Sequence, residues 1–193
     1  MERSEHTECL ISGSTNLKKL NGYEEANLVK SKPLGFVFSK SIPTTEELVK
    51  HYEKYSRQDY LSPVTIKRYD ELLEMFEKYR KTNRILDVGC GVGYFLQHAA
   101  KKGWQVYGTE FTDAAIESCR EKGIIMNQGA LSVEWFEKES FDIITSFEVL
   151  EHINNPRPEV AGFYSLLRRG GCFILPLLIL IVLNGSGSGQ TTA

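Results

Sequence analysis

The sequence predicts an α/β domain built on a doubly wound parallel sheet. Counted from Arg84, its strands are expected in the order 3-2-1-4-5, with helices on both faces. Three observations carry this. Short apolar runs at 84–88, 105–109, 124–127, 141–147 and 172–175 alternate with segments of helical period at 94–101 and 112–122. Gly103 and Gly123 stand just past those two helical segments, where a helix commonly stops. Asp87 and Glu110 end the first two strands, at the edge of an open parallel sheet where ligands bind.

The whole chain bounds this reading. Its 193 residues suit one main domain and a small extra one. They divide into an extension at 1–41, a helical segment at 42–83, the α/β domain at 84–175 and a tail at 176–193. Hydrophobic content of 41% and charged content of 25% are those of a soluble globular protein. A net charge of −2 gives no reason to expect a nucleic-acid partner. Cys9, Cys90, Cys119 and Cys172 form no C-x-x-C pair and no disulfide framework, and no signal-peptide pattern precedes them. A reducing cytoplasm is expected.

In chain order, residues 1–41 are polar and weakly patterned, with an apolar patch at 34–38. A frame repeats there: Cys9-x-x-Ser12-Gly13 and Ser31-x-x-Leu34-Gly35. Pro43 opens a helix in which Thr44 and Glu47 fit a reciprocal capping pair, and Leu48, Val49, Tyr52 and Tyr55 form one face. Ser62-Pro63 opens the next, with proline at its first position. Ile66, Tyr69, Leu72, Leu73, Phe76 and Tyr79 then recur at helical spacing, the stripe of a long amphipathic helix packed on the sheet.

The stretch Ile85-Leu86-Asp87-Val88-Gly89-Cys90-Gly91-Val92-Gly93-Tyr94 organises the rest. A strand that turns into a helix through glycines brings backbone N–H groups and a helix N-terminus to a ligand. The dinucleotide pattern G-x-G-x-x-G wants a glycine where Tyr94 stands. Asp87 would repel a pyrophosphate and suits an ammonium or sulfonium group, which argues against a nicotinamide-dependent oxidoreductase. The small size of Cys90, rather than thiol chemistry, explains its place in the loop. D-x-G-x-G-x-G at a strand end resembles motif I of the class I S-adenosylmethionine-dependent methyltransferases, which are Rossmann-like. The resemblance implies that Asp87, Gly89, Gly91 and Gly93 place the methionine part of S-adenosyl-L-methionine. Glu110, about 20 residues past the turn, would hold the ribose hydroxyls. Phe111 either covers one adenine face or packs in the core. Relatives often hold the adenine amino group by a side chain after the third strand; Ala130 would leave a backbone contact.

Phe141-Asp142-Ile143-Ile144 followed by Val149-Leu150-Glu151-His152-Ile153-Asn154-Asn155-Pro156 resembles a segment of the ubiquinone-biosynthesis-type O-methyltransferases. The resemblance implies Phe147 against the cofactor, and Glu148, Glu151 and His152 near its methyl-donor end. Glu151 and His152 are the candidate catalytic residues. His152 would take the acceptor's hydroxyl proton or, alternatively, act as a structural cap. Asn155-Pro156 opens a helix with Val160, Phe163 and Leu167 on its apolar face; Arg168-Arg169-Gly170-Gly171 ends it, with Arg169 where the family has proline. The Cys9 frame is similar to the zinc ribbon that precedes some methyltransferase domains. Ser12, Ser31 and Leu34 occupy three of its ligand positions and cannot replace thiolates, so no zinc and a loosely ordered extension are expected. In similar enzymes the N-terminal helices cover the cofactor, so Tyr52, Tyr55 and Tyr60 either form a lid or anchor their helix.

After Leu175 the resemblance stops, two strands short of the family's domain. The apolar run at 172–183 is shorter than the ~20 residues that span a bilayer, which argues against a membrane tail. The Gly/Ser-rich end reads as flexible. The expectation is a C-terminally truncated product, from a reading-frame shift after the fifth strand, whose exposed edge invites self-association. The expected function is methyl transfer from S-adenosyl-L-methionine to a small-molecule oxygen or nitrogen nucleophile. The alternative is a catalytically inactive cofactor-binding or interaction protein.

Overall fold

A computed structural model describes residues 4–44, 47 and 61–175. The expectations at Leu48, Val49, Tyr52, Tyr55, Tyr60, the side chain of Glu151 and the tail at 176–193 lie outside the described residues.

The extension is a three-stranded antiparallel sheet of β1 (Leu17–Lys19), β2 (Leu28–Ser31) and β3 (Val37–Ser39), in that order. Cys9, Val29 and Phe38 form its small core. The repeated frame folds twice into the same knuckle: Gly13 N–H donates to Cys9 O (2.9 Å) and Gly35 N–H to Ser31 O (2.7 Å). Both glycines lie at φ +69°, so the repeat in sequence is a repeat in backbone. The reciprocal cap is present: Thr44 N–H donates to Glu47 Oε2 (3.0 Å) and Glu47 N–H to Thr44 Oγ1 (3.2 Å).

Helix α1 (Pro63–Phe76) starts as expected, with Thr65 N–H donating to Ser62 Oγ and proline in its first turn, and runs into a 3-10 turn at Glu77–Tyr79. Leu73 and Phe76 are fully buried, and Tyr69 and Leu72 pack at the margin of the core. Ile66, 37% exposed, falls outside the stripe.

The main sheet holds β4 (Arg84–Val88), β5 (Gln105–Glu110), β6 (Ile125–Gln128), β7 (Phe141–Thr145) and β8 (Leu167–Ile174). All its pairings are parallel and the order is β6-β5-β4-β7-β8, the predicted one. Its helices are α2 (Tyr94–Lys101), α3 (Asp113–Glu121) and α4 (Pro156–Leu166). Strand alternation splits the core in two. Ile85 and Ile143 face a layer with Phe76, Phe95, Leu96 and Ile116, whereas Leu86 and Ile144 face Phe163 and Leu166. Among the described residues no helix is long and apolar enough to cross a membrane.

The structure corrects the sequence at the last helix and strand. Helix α4 ends at Leu166 and turns Pro156, Gly162, Phe163 and Leu166 inward, which leaves Val160 39% exposed. Strand β8 starts at Leu167, five residues before the predicted start at Cys172, and carries an irregularity between its pairings Phe141↔Leu167 and Ile143↔Cys172. A buried ion pair ties down the start of this strand. Arg168 Nε donates to Asp142 Oδ1, and the guanidinium also bonds the carbonyls of Tyr79 and Arg169. Asp142 Oδ2 accepts from Lys81 N (2.8 Å) and Asn83 N (2.7 Å). Burial alone would raise the Asp142 pKa; Arg168 and the amides of Lys81, Thr82 and Asn83 overcome it and hold the carboxyl below its usual range. Gly171 lets the strand close over this pair, since a Cβ there would stand 2.9 Å from Asp142 O.

Candidate functional site

At the carboxyl end of β4 the chain turns through Gly89, Gly91 and Gly93, all in the left-handed region. Two of the three glycines have a steric reason. A Cβ on Gly89 would lie 2.4 Å from Val149 Cγ2, and one on Gly93 would lie 2.6 Å from Cys119 Sγ. A Cβ on Gly91 would meet nothing within 4 Å, so this residue faces open space. The turn encloses a cleft of about 190 Å3 lined by Asp87, the three glycines, Tyr69 and Phe147, with Cys90 beside them.

Asp87 is buried at the cleft floor, 3% exposed, and Thr145 Oγ1 donates to its Oδ1 at 2.8 Å. Burial pushes its pKa up to about 7, against the Thr145 hydrogen bond and helped by the nearby charge of Glu110. Tyr69 comes from α1 and stands edge-on to Phe95, which stands edge-on to Phe147. These rings make one wall of the cleft. Burial, with the charge of Asp87 adding, raises the Tyr69 phenol. The sequence placed Tyr69 in the helix stripe only, because helical spacing gives one signal for a ring facing the core and for a ring facing a cleft.

Glu110 lies behind the glycine turn rather than in the cleft wall. Its Oε2 accepts from Gly91 N (3.0 Å), and its Oε1 from Phe111 N (2.7 Å) and Thr112 N (3.3 Å). The carboxylate therefore joins the glycine turn to the start of α3. Phe111 is 63% exposed, so it is no core aromatic. Gly129 N–H donates to Glu110 O at 2.8 Å, which brings the exposed Ala130 to the same sheet edge. Glu110, Phe111 and Ala130 thus form one group, and Asp87, the glycines and Phe147 another, joined through Gly91.

Beyond Phe147, Glu148 takes a left-handed φ of +54°. That turn lays Val149 on Gly89 and leads into a 3-10 turn at Leu150–His152. His152 is half-buried, its N–H donates to Val149 O, and it does not line the cleft. Among the described residues no three His, Cys, Asp or Glu side chains converge on a metal position.

A profile of the methyltransferase domain family matches residues 54–178. The ubiquinone biosynthesis O-methyltransferase of Saccharophagus degradans is 30% identical over 118 residues, covering 58% of this chain and 48% of that one. Its counterpart in Nitrosococcus oceani is 37% identical over 95 residues, covering 46% and 40%. The solved structure of the PH0226 protein from Pyrococcus horikoshii aligns with a TM-score of 0.48 and 25% identity, over 64% of this chain and 63% of that one. The chain spans about half the length of the curated relatives it matches. Because the profile covers more than half of the sequence, including the whole parallel sheet, the chain belongs to the methyltransferase domain family.

Proposed function

We propose that this chain binds S-adenosyl-L-methionine in the cleft and serves methyl transfer to a small-molecule oxygen or nitrogen nucleophile. The observation that carries the reading is Asp87, a carboxylate buried at the floor of a glycine-lined cleft. A carboxyl kept protonated by burial ionises readily when a cation is set against it. The residues fit the cofactor: Asp87 would meet its cationic groups, and Gly91 offers backbone without a side chain. When bound, the cofactor would supply a methyl group activated on a positively charged sulfur.

The protein's own residues do the rest. Asp87, Gly89, Gly91 and Gly93 would hold the methionine part. A cleft of about 190 Å3 is smaller than the roughly 300–1,000 Å3 of whole ligand sites, so the nucleoside would extend past Gly91. There Glu110 keeps lone-pair capacity beyond its three amide bonds for the ribose hydroxyls. The open ring of Phe111 would cover the adenine, and the backbone at Ala130 would meet its amino group. Tyr69 and Phe147 would keep water from the reacting centre. Glu151 and His152 are the candidates on the acceptor side, with His152 taking a hydroxyl proton. Most of the acceleration is assigned to alignment of nucleophile and methyl group.

We place the protein in the cytoplasm, acting without nucleic acid. We further propose self-association through β8, which among the described residues pairs only with β7. Sedimentation velocity checks this: a single species across concentrations removes the proposal. The functional test is calorimetric titration of the full chain with S-adenosyl-L-methionine, followed by detection of S-adenosylhomocysteine with phenolic and sugar acceptors. A dissociation constant in about the 1 μM–1 mM range and a product peak are expected. If Asp87→Ala binds as well as the wild type, the reading of the cleft is wrong.

A further inference from the structure

At the glycine turn three sulfur atoms meet, that of Cys90 from a residue lining the cleft. Cys90 Sγ lies 3.9 Å from Cys119 Sγ and 3.9 Å from Met126 Sδ. Both cysteines are free thiols. The space they fill is made by glycines: a Cβ on Gly108 would stand 2.7 Å from Cys90 Sγ, and one on Gly93 2.6 Å from Cys119 Sγ. The Cys119 thiol points at Gly91 O, 3.3 Å away. The Gly91 N–H is thus held by Glu110 and the Gly91 carbonyl by Cys119. Cys90 is half-buried and lines the cleft, whereas Cys119 is fully buried behind it. The contact between the thiols holds Cys119 below its ordinary pKa, with the Lys122 charge assisting, and drives Cys90 up.

We propose that Cys90 and Cys119 form a modification site, a dithiol that peroxide-class oxidants close to a disulfide, and that closure disables the cofactor turn. The oxidant enters through the cleft, past Cys90, and meets the Cys119 sulfur, which has the greater thiolate character. One S–O bond forms as the peroxide O–O bond breaks, giving a sulfenic acid and one water. The Cys90 sulfur then attacks the Cys119 sulfur; the S–S bond forms, the S–O bond breaks and a second water leaves. The two thiols lose two electrons and two protons, and hydrogen peroxide is reduced to two waters. Closure shortens 3.9 Å to a bond of about 2.05 Å, a change of nearly 2 Å shared between rotation of the two side chains and displacement of the turn that carries Cys90. It also removes the thiol donor from Gly91 O. A binding turn works only when held to within about 0.5 Å, so the oxidised form loses the cleft's shape. A cofactor seated in the cleft would in turn shield Cys90.

The affinity arm of the test rests on the function proposed above; the chemical arm does not. The full chain is reduced, exposed to hydrogen peroxide without denaturant, and its thiols are titrated. Peptide mapping finds the linkage, and calorimetry with S-adenosyl-L-methionine follows the cleft. The expected result is joint loss of two of the four thiols, a peptide linking Cys90 to Cys119, and affinity lowered about tenfold or more and restored by dithiothreitol. Added S-adenosyl-L-methionine should slow the thiol loss. Cys119→Ser, whose hydroxyl still reaches Gly91 O, should bind the cofactor and form no linkage. Should that variant fold poorly, as judged by its melting curve, Cys119→Ala replaces it for the thiol titration and peptide mapping only. Linkage through Cys9 or Cys172, no linkage, or linkage with unchanged affinity would each overturn the proposal. If the reduced protein does not bind the cofactor while the linkage still forms, the function is wrong and the dithiol site stands.

Discussion

Asp87 shows how one residue sets stability against binding. Its carboxyl titrates near 3.8 when unfolded and near 7 when buried, so between those values the folded state holds the extra proton. Stability attributable to Asp87 therefore falls as pH rises from about 4 to 7, and the penalty is constant above that. A cationic ligand reverses the balance, because it favours the ionised form. Affinity for S-adenosyl-L-methionine should climb between pH 5.5 and about 7.5 and then level off, with proton release on binding at pH 6. Calorimetry in buffers of different ionisation enthalpy reads both quantities. Asp87→Asn keeps the shape and removes the charge. It should flatten the pH profile, weaken binding about 10- to 100-fold, and leave the melting temperature at pH 8 no lower than the wild type's. A flat wild-type profile would show that the carboxylate takes no part in uptake.

At the scale of elements, two features decide where strands and knuckles form. The Arg168–Asp142 pair bolts β8 to β7 and to the 3-10 turn before β4. Arg168→Met strands a buried carboxylate, at a cost of about 3–5 kcal/mol in urea unfolding at pH 7. Asp142 is held below its ordinary pKa, so its contribution is complete at neutral pH and fades as the medium is acidified. The gap between wild type and variant should therefore narrow as pH falls below about 3.8, the ordinary value of the carboxyl; an equal gap well below that pH and at pH 7 would argue for lost packing instead. The second feature is the repeated knuckle of the extension. Burial would raise the Cys9 thiol, yet the hydroxyls of Ser12 and Ser31 and the amides of Ser12 and Ile11 bring it down to about 7. Ser31 Oγ is buried beside it without a well-formed hydrogen bond, whereas Leu34 is 56% exposed. A thiolate nest thus persists on one knuckle and half of the other. Replacing Ser12, Ser31 and Leu34 together by cysteine should give one tightly held zinc per chain and a higher melting temperature, read by metal analysis after gel filtration. Failure to retain zinc would mean that the second knuckle no longer aims at the first.

Across the whole molecule, what was legible in the sequence is what local pattern encodes. Strand order followed from strand, glycine and helix recurring in series, and the Thr44–Glu47 and Ser62 caps from side chains next to the amides they satisfy. What escaped depends on contacts between distant residues. Arg168-Arg169-Gly170-Gly171 reads as the end of a helix; its bond to Asp142, 26 residues earlier, leaves no mark in that stretch. Asp87 announced itself by its motif, but Tyr69 belongs to the cleft through the docking of α1, which no local signal records. The same geometry separates stability from function along the sheet. Asp87 is in register with Thr145, and Asp142 lies three residues before it, about 10 Å toward the opposite end of the sheet. The buried pair is thus far enough from the cleft floor, and shares no partner with it, for the two to act independently. Arg168→Met should lower stability while the folded fraction keeps wild-type affinity for S-adenosyl-L-methionine. Combined with Asp87→Asn, its effect on unfolding free energy should add to within about 0.5 kcal/mol. Urea unfolding of the two single variants and the double variant measures this directly. A coupling above about 1 kcal/mol would show that β7 transmits strain from the anchor to the cleft, so that the two ends of the sheet form one mechanical unit.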